Sequence, residues 1–404
     1  MKRVTTPPGN ATSGRRACAA FLLLVVCAAA LIASSPAAQV PARYFPQRGD
    51  WQRREPVAVG MDKAKLAEAI AYHEAHQNPN TKDLAADIVN TFRNEAPYNS
   101  LIGPAQERTG ANGIVIRRGA IVAEWGDTAR ADMTFSVTKS FLSTVVGLAY
   151  DSGRIRSVHD RVAPYMPAGV DLFASEHNGK ITWNHLLRQT SDWEGTLWGK
   201  PDWSDRPSQN PDEWLTRERP VPGTLFEYND TRVNLLALTA TLVWREPIQQ
   251  VLREHIMRPI GASSTWQWYG YENSWILLDG SNVQVPSGGG HWGGGMFINA
   301  YDQARFGLLT ARRYRWGNKR LLPEEWWKMA TTPTAANPGY GFMNFYLNTG
   351  RLGMASAPES AWMHMGSGAN IIYCDPEHDL VIVARWINDR VLFEFVAKVL
   401  KALE

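Results

Sequence analysis

The chain has 404 residues, 44% hydrophobic and 20% charged, an ordinary globular composition large enough for two lobes around substantial cores. Its formal charge of +3 originates in the first 38 residues, where Lys2, Arg3, Arg15 and Arg16 meet no acid; the rest carries 38 basic against 39 acidic groups. A body so close to neutral excludes an electrostatic case for nucleic-acid binding.

In chain order, Arg15-Arg16 precede an uncharged apolar run over residues 17–33, followed by Ser34-Ser35-Pro36-Ala37-Ala38. The pattern is that of an export signal cleaved near Ala38, with retention as a single N-terminal anchor as the alternative. The expected location is therefore the bacterial periplasm or the exterior, or else the inner membrane through that segment. Cys18 and Cys27 fall in the leader, so Cys374 is the only cysteine left after cleavage and no intramolecular disulfide follows.

Residues 39–60 read as a linker rich in Pro, Arg and Gln, and 61–404 as one domain. A helix is expected after Asp62 to about His76, and a short one over 84–94. Residues 113–125 alternate as a hairpin turning at Arg118-Gly119. A buried helix then starts near Thr134 and stops at Ser152-Gly153. Residues 154–330 read as helical segments and long loops rich in tryptophan. Within them, Arg312-Arg313-Tyr314-Arg315 through Lys319-Arg320 read as a solvated helix end and turn. A second hairpin is expected over 369–387 and a last helix over 392–403. Strands at both ends with a helical insertion between them imply one sheet built from N- and C-terminal parts, an α+β arrangement.

The chemistry concentrates in Ser136-Val137-Thr138-Lys139, the single Ser-x-x-Lys in the chain. Spacing of three puts both side chains on one face of a helical turn. A lysine desolvated in a packed site loses proton affinity and can act as a base, so a serine beside it needs no catalytic histidine. Alone, the motif is equally an ordinary helix-start serine and a solvated lysine. Two further stretches follow. Glu227-Tyr228-Asn229-Asp230 offers Tyr228 as a phenolate-type base or proton shuttle if cations lower its pKa. His364-Met365-Gly366-Ser367-Gly368 offers a glycine-permitted close approach to a strand edge. His291, in a glycine-rich aromatic loop, and Trp193, among the tryptophans 193, 198, 203 and 214, are candidates to line the cleft. No Gly-x-Ser-x-Gly elbow supports an α/β-hydrolase and no His-x-x-x-His supports zinc.

In this order the three motifs resemble the serine β-lactamase and penicillin-recognising family, in its class C, D,D-peptidase and esterase branch, over about residues 60–404. The resemblance implies an antiparallel sheet flanked by helices with a helical lobe. It makes Ser136 the acylated nucleophile, Lys139 its activating partner and Tyr228 the proton donor to the leaving group. The N–H groups of Ser136 and Ser367 become the oxyanion hole, and Gly366 lies against the substrate. No cofactor or metal is implied, and the partner is a small ester, amide or peptide. Two positions depart from the family pattern. Asp230 stands where asparagine is usual, opposing a neutral Lys139 unless it pairs with Arg232 or binds a cationic substrate group. His364 stands where β-lactamases proper have lysine, a weaker attractor for a β-lactam carboxylate. The expected activity is an esterase or linear-amide hydrolase resembling 6-aminohexanoate-dimer hydrolases, ahead of a D-amino-acid peptidase and a β-lactamase. A non-catalytic envelope binding protein on the same fold is the alternative of another class.

Overall fold

Both hairpins expected from the sequence form, and they pair with each other. The computed structural model describes residues 43–206 and 216–403; the leader and Trp214 lie outside them. The labelled helices are α1 (Lys63–Ala75), α2 (Leu84–Thr91), α3 (Thr138–Asp151), α4 (Asp230–Trp244), α5 (Ala300–Ala311) and α6 (Leu392–Lys401). The labelled strands are β1 (Asn112–Arg117), β2 (Ala120–Trp125), β3 (Asp132–Met133), β4 (Gln267–Leu278), β5 (Ser281–Pro286), β6 (Gly295–Ile298), β7 (Tyr346–Leu347), β8 (Trp362–Gly366), β9 (Asn370–Asp375) and β10 (Leu380–Arg385).

The main sheet is antiparallel, in the order β7-β8-β9-β10-β1-β2. Its centre joins the chain's two ends, with Ile114 opposite Val383 across β1 and β10. Alternation along these strands divides the core in two. Ile114, Ile116, Ile372, Val381 and Val383 face the core containing α3 and α5. Val115, Ile371, Ile382 and Ala384 face the core containing Leu66 of α1 and Phe395 and Val396 of α6. The β1–β2 turn has positive φ at both central residues, Arg118 at 52° and Gly119 at 85°, which matches the twist of a two-residue hairpin.

The expectation that residues 154–330 are mostly helical segments and long loops is corrected by a second sheet, in the order β3-β6-β4-β5. Its hairpin turns at Asp279 (φ 51°) and Gly280 (φ 80°), the same geometry on an Asp-Gly pair. Gly270, Glu272 and Asn273 interrupt the strand pattern of β4, where the register against β5 shifts. The fold is α+β, as expected.

Residues 43–60 run beside β2: Ile121 N donates to Gln52 O at 3.0 Å and Arg54 N to Ile121 O at 2.9 Å. Arg312, expected to be solvated, is instead buried. It forks onto Asp379 with bonds of 3.0 and 2.9 Å, fastening the end of α5 to the β9–β10 turn.

Asp132 of β3 ties the two sheets together. It is fully buried and accepts from Thr109 N at 3.0 Å and Trp386 Nε1 at 2.9 Å, with the buried Arg385 guanidinium of β10 3.6 Å away. Replacing Asp132 with Ala leaves Arg385 without its nearest counter-charge. Urea denaturation should show a loss of about 3–5 kcal/mol.

Candidate active site

Ser136 sits in a single 3₁₀ turn, Phe135–Val137, between β3 and α3. Phe135 and Val137 are buried while Ser136 is half-buried, so the turn leaves the serine partly accessible. Phe135 holds φ at 47°, a left-handed conformation that costs a bulky residue about 1–3 kcal/mol. Packing of its ring edge-on against Trp386 and the 2.9 Å bond from Thr134 N to Met296 O hold the turn in place. Asn344 staples it from outside, its Nδ2 donating to Ser136 O at 2.7 Å and to Met365 O of β8 at 2.8 Å.

Lys139 lies one turn further on and its side chain is wholly inaccessible. Its Nζ is 2.8 Å from Ser136 Oγ, 2.6 Å from Asp230 Oδ1 and 4.6 Å from the centre of the Tyr228 ring. Burial lowers the lysine's pKa against the opposing charge of Asp230. Asp230 is the first residue of α4, and Asn229 caps that helix through Arg232 N. Burial works against its ionisation, but Lys139, His291 and Arg206 outweigh burial and hold Asp230 well below the usual carboxylate range. The candidate role of Asp230 in binding substrate is thus corrected: it is 1% exposed and its oxygens face protein cations. Nor does it pair with Arg232, which turns to Asp192 at 2.6 Å, Asp202 and Glu227.

The glycine run ahead of His291 makes this pair sterically feasible. A Cβ on Gly289 would lie 1.9 Å from Asp230 Oδ1 and 2.3 Å from Lys139 Nζ. Here the backbone passes directly over the Lys139–Asp230 contact, and only hydrogen fits between.

Behind the pair lies a charged cluster that the motifs do not contain. His291 Nε2 is 2.8 Å from Glu95 Oε2 and 3.8 Å from Asp205 Oδ1; its Nδ1 is 3.5 Å from Asp230 Oδ2. Burial alone would lower the imidazole's pKa, but Asp205, Asp230 and Glu95 raise it to about 9. His291 is 3% exposed and faces these acids, so the expectation that it lines the cleft is corrected. Arg206 extends over the Tyr228 ring at 5.1 Å, bonds Asp205, and reaches Asp230 Oδ2 at 3.4 Å. Glu95, Asp205 and His291 also place three metal-type ligand atoms within 4.8 Å of one another. In the structure these groups contact one another directly, His291 Nε2 with Glu95 Oε2 at 2.8 Å, a hydrogen-bond distance, and Nδ1 with Asp230 Oδ2 at 3.5 Å.

Tyr228 is hydrogen-bonded to Ser136 and to Tyr346 of β7. Burial, then the charge of Asp230, raises its pKa well above 10, which corrects the phenolate expectation: the group is a neutral phenol. On the opposite side, Gly366 brings β8 against the serine turn, where a Cβ would lie 2.2 Å from Thr134 O and 3.2 Å from Ser136 N. Ser367 follows in the exposed turn after β8.

A family model described as Beta-lactamase matches residues 95–391. The chain belongs to the β-lactamase family. Solved structures of similar fold include a penicillin-binding protein homologue from Caulobacter crescentus (16% identity, 78% of this chain and 97% of that one, TM-score 0.51). They also include a protein from Bacillus anthracis assigned as a 6-aminohexanoate-dimer hydrolase (15% identity, 90% and 87%, TM-score 0.52). A third is EstCE1, a hydrolase with promiscuous acyltransferase activity (14% identity, 84% and 98%, TM-score 0.52). No curated protein matches the chain significantly.

The third-motif histidine lies in the core. His364 is fully buried, with Nδ1 2.9 Å from Ser140 Oγ and Nε2 3.4 Å from both Thr310 Oγ1 and Trp362 Nε1. Burial lowers its pKa to about 3. Its expected contact with substrate is therefore corrected to a neutral contact between β8 and α3. Two residues along a strand span about 6.7 Å and one helical turn about 5.4 Å. As Gly366 meets Ser136, His364 meets Ser140 one step deeper. Trp193 is likewise core: it is 2% exposed, its Nε1 donates to Leu172 O at 2.7 Å, and it does not line the cleft.

Glu95, the Asp205-Arg206 pair, and Asn344 and Tyr346 escape motif reading because they come from three separate stretches of the chain, none of them in a motif; the Gly288-Gly289-Gly290 run is the one visible signal. Gly289→Ala forces the Lys139–Asp230 pair apart. Hydrolytic turnover should fall about 100-fold or more with the circular dichroism spectrum retained.

Proposed function

We propose that this β-lactamase-family hydrolase cleaves an ester or linear amide through an acyl-Ser136 intermediate. The observation that carries the reading is an accessible serine whose Oγ lies 2.8 Å from the Nζ of a fully buried lysine with a lowered pKa. Lys139 in its amine form takes the Ser136 hydroxyl proton as Oγ attacks the carbonyl carbon. The oxyanion is received by the N–H groups of Ser136 and Ser367. Collapse breaks the bond to the leaving group, which takes the proton from Lys139 through the Tyr228 hydroxyl. Water then gives a proton through Tyr228 to Lys139 as its oxygen bonds to the acyl carbon; the bond to Ser136 Oγ breaks, Oγ takes the proton back from Lys139, and the acid leaves.

The substrate preference rests on what surrounds the serine. Tyr228 and Tyr346 offer aromatic surface. The β8 strand offers no cation, because His364 is buried and neutral. This favours esters and linear amides over β-lactams, whose carboxylate calls for a positive charge at that strand. Export through the segment over residues 17–33 places the reaction in the periplasm or outside the cell, or at the inner membrane if that segment stays attached.

The test is intact-mass labelling with a fluorophosphonate, followed by turnover of p-nitrophenyl esters. One adduct is expected in the wild type and none in Ser136→Ala. Lys139→Ala and Tyr228→Phe should each lower kcat/KM by about 10²–10⁴. Persistent labelling of Ser136→Ala would falsify the nucleophile. Binding without any turnover would favour a non-catalytic envelope protein, the reading that the ionised Asp230 beside Lys139 recommends.

A further inference from the structure

We infer that His291, acting through Asp230, is a positioning residue that keeps Lys139 in the amine form required for attack by Ser136. The inference rests on Lys139 serving as the base. A carboxylate 2.6 Å from the lysine should by itself hold it as an ammonium and suppress the reaction. Asp230, however, does not belong to Lys139 alone. One oxygen faces Lys139, while the other faces His291 Nδ1 at 3.5 Å and Arg206 at 3.4 Å. Two further cations thus draw on the same carboxylate and repel a proton on Lys139.

The imidazolium is itself built into place. Glu95, from the turn after α2, binds Nε2 at 2.8 Å, so the ring points its other nitrogen at Asp230. Phe92 lies against the ring at 3.8 Å between centres. The remaining charged and titratable groups facing this cluster come from several elements. Asp205 and Arg206 lie on one loop, with the Arg206 N–H donating to Glu95 Oε1 at 3.0 Å. Tyr228 precedes α4, and Tyr340 and Tyr346 stand on the β7 side. Tyr271 faces it from β4, and Lys200 lies toward Glu95. The phenols of Tyr228, Tyr271, Tyr340 and Tyr346 all have raised pKa values and stay neutral, so the balance is set by the acids and the cations.

The sign of each substitution follows. His291→Gln removes a cation from around Asp230, leaves the carboxylate to Lys139, and raises the lysine's proton affinity. Glu95→Gln acts in the same direction by withdrawing support from the imidazolium. Asp230→Asn removes the anion and lowers the lysine's proton affinity. A merely structural role would slow all three variants without moving their pH dependence in opposite senses.

The experiment measures the second-order rate of Ser136 acylation by a fluorophosphonate between pH 5 and 10 on the full chain, with thermal unfolding as a control. The acid limb should move up by about one pH unit in His291→Gln and Glu95→Gln and down by a similar amount in Asp230→Asn. A limb that stays in place or moves down in the first two, with labelling still confined to Ser136, overturns the inference alone. Labelling that survives in Ser136→Ala overturns the nucleophile instead. If a variant fails to fold, the wild type still decides by nitrogen NMR of His291. An imidazolium persisting to about pH 9 supports the inference, and a neutral ring at pH 7 refutes it.

Discussion

A lysine with no solvent contact, held 2.6 Å from an equally buried carboxylate, is an expensive feature to build, and much of the structure around Ser136 exists to accommodate it. Removing a carboxylate and an amine from water is costly unless their remaining hydrogen-bonding capacity is met. Lys139 meets it with Ser136 and Asp230, and Asp230 with Lys139, Arg206 and His291. The strain at Phe135, the glycine at 289 and the Asn344 staple have the same purpose. Each lets main chain pass close to the pair or holds it there.

The two sheets bring the parts together from distant regions of the chain. β3 of the second sheet leads into the serine turn, and β8 of the main sheet lies against it through Gly366. Asp132, under Trp386 and Arg385, locks one sheet to the other next to that turn. The same packing that positions Gly366 buries His364 against α3. A motif residue that would carry charge in a β-lactamase proper therefore becomes a neutral part of the core.

Some of this was legible in the residues. Hairpins at 113–125 and 369–387, the α3 helix and the terminal helix follow from period-two and period-3.6 patterns that local sequence carries. The β4–β5 hairpin is less legible, although Asp279-Gly280 is a strong turn signal. Gly270, Glu272 and Asn273 broke the alternation that would have announced its first strand. For His291 and Trp193 the reason differs. A glycine-rich or aromatic context says that a side chain is near something, not whether it faces solvent or the core.

The sequence by itself determined the order Ser136-x-x-Lys139, Tyr228 and Gly366-Ser367, and with it the family and the reach of Lys139 to Ser136, because helical spacing of three is a local constraint. Only the tertiary structure decided the electrical state of that lysine. His291 and Glu95 meet across 196 residues of chain, and Lys139 and Asp230 across 91. Burial and the charges converging on one carboxylate arise when the fold closes, and no stretch of sequence holds that balance.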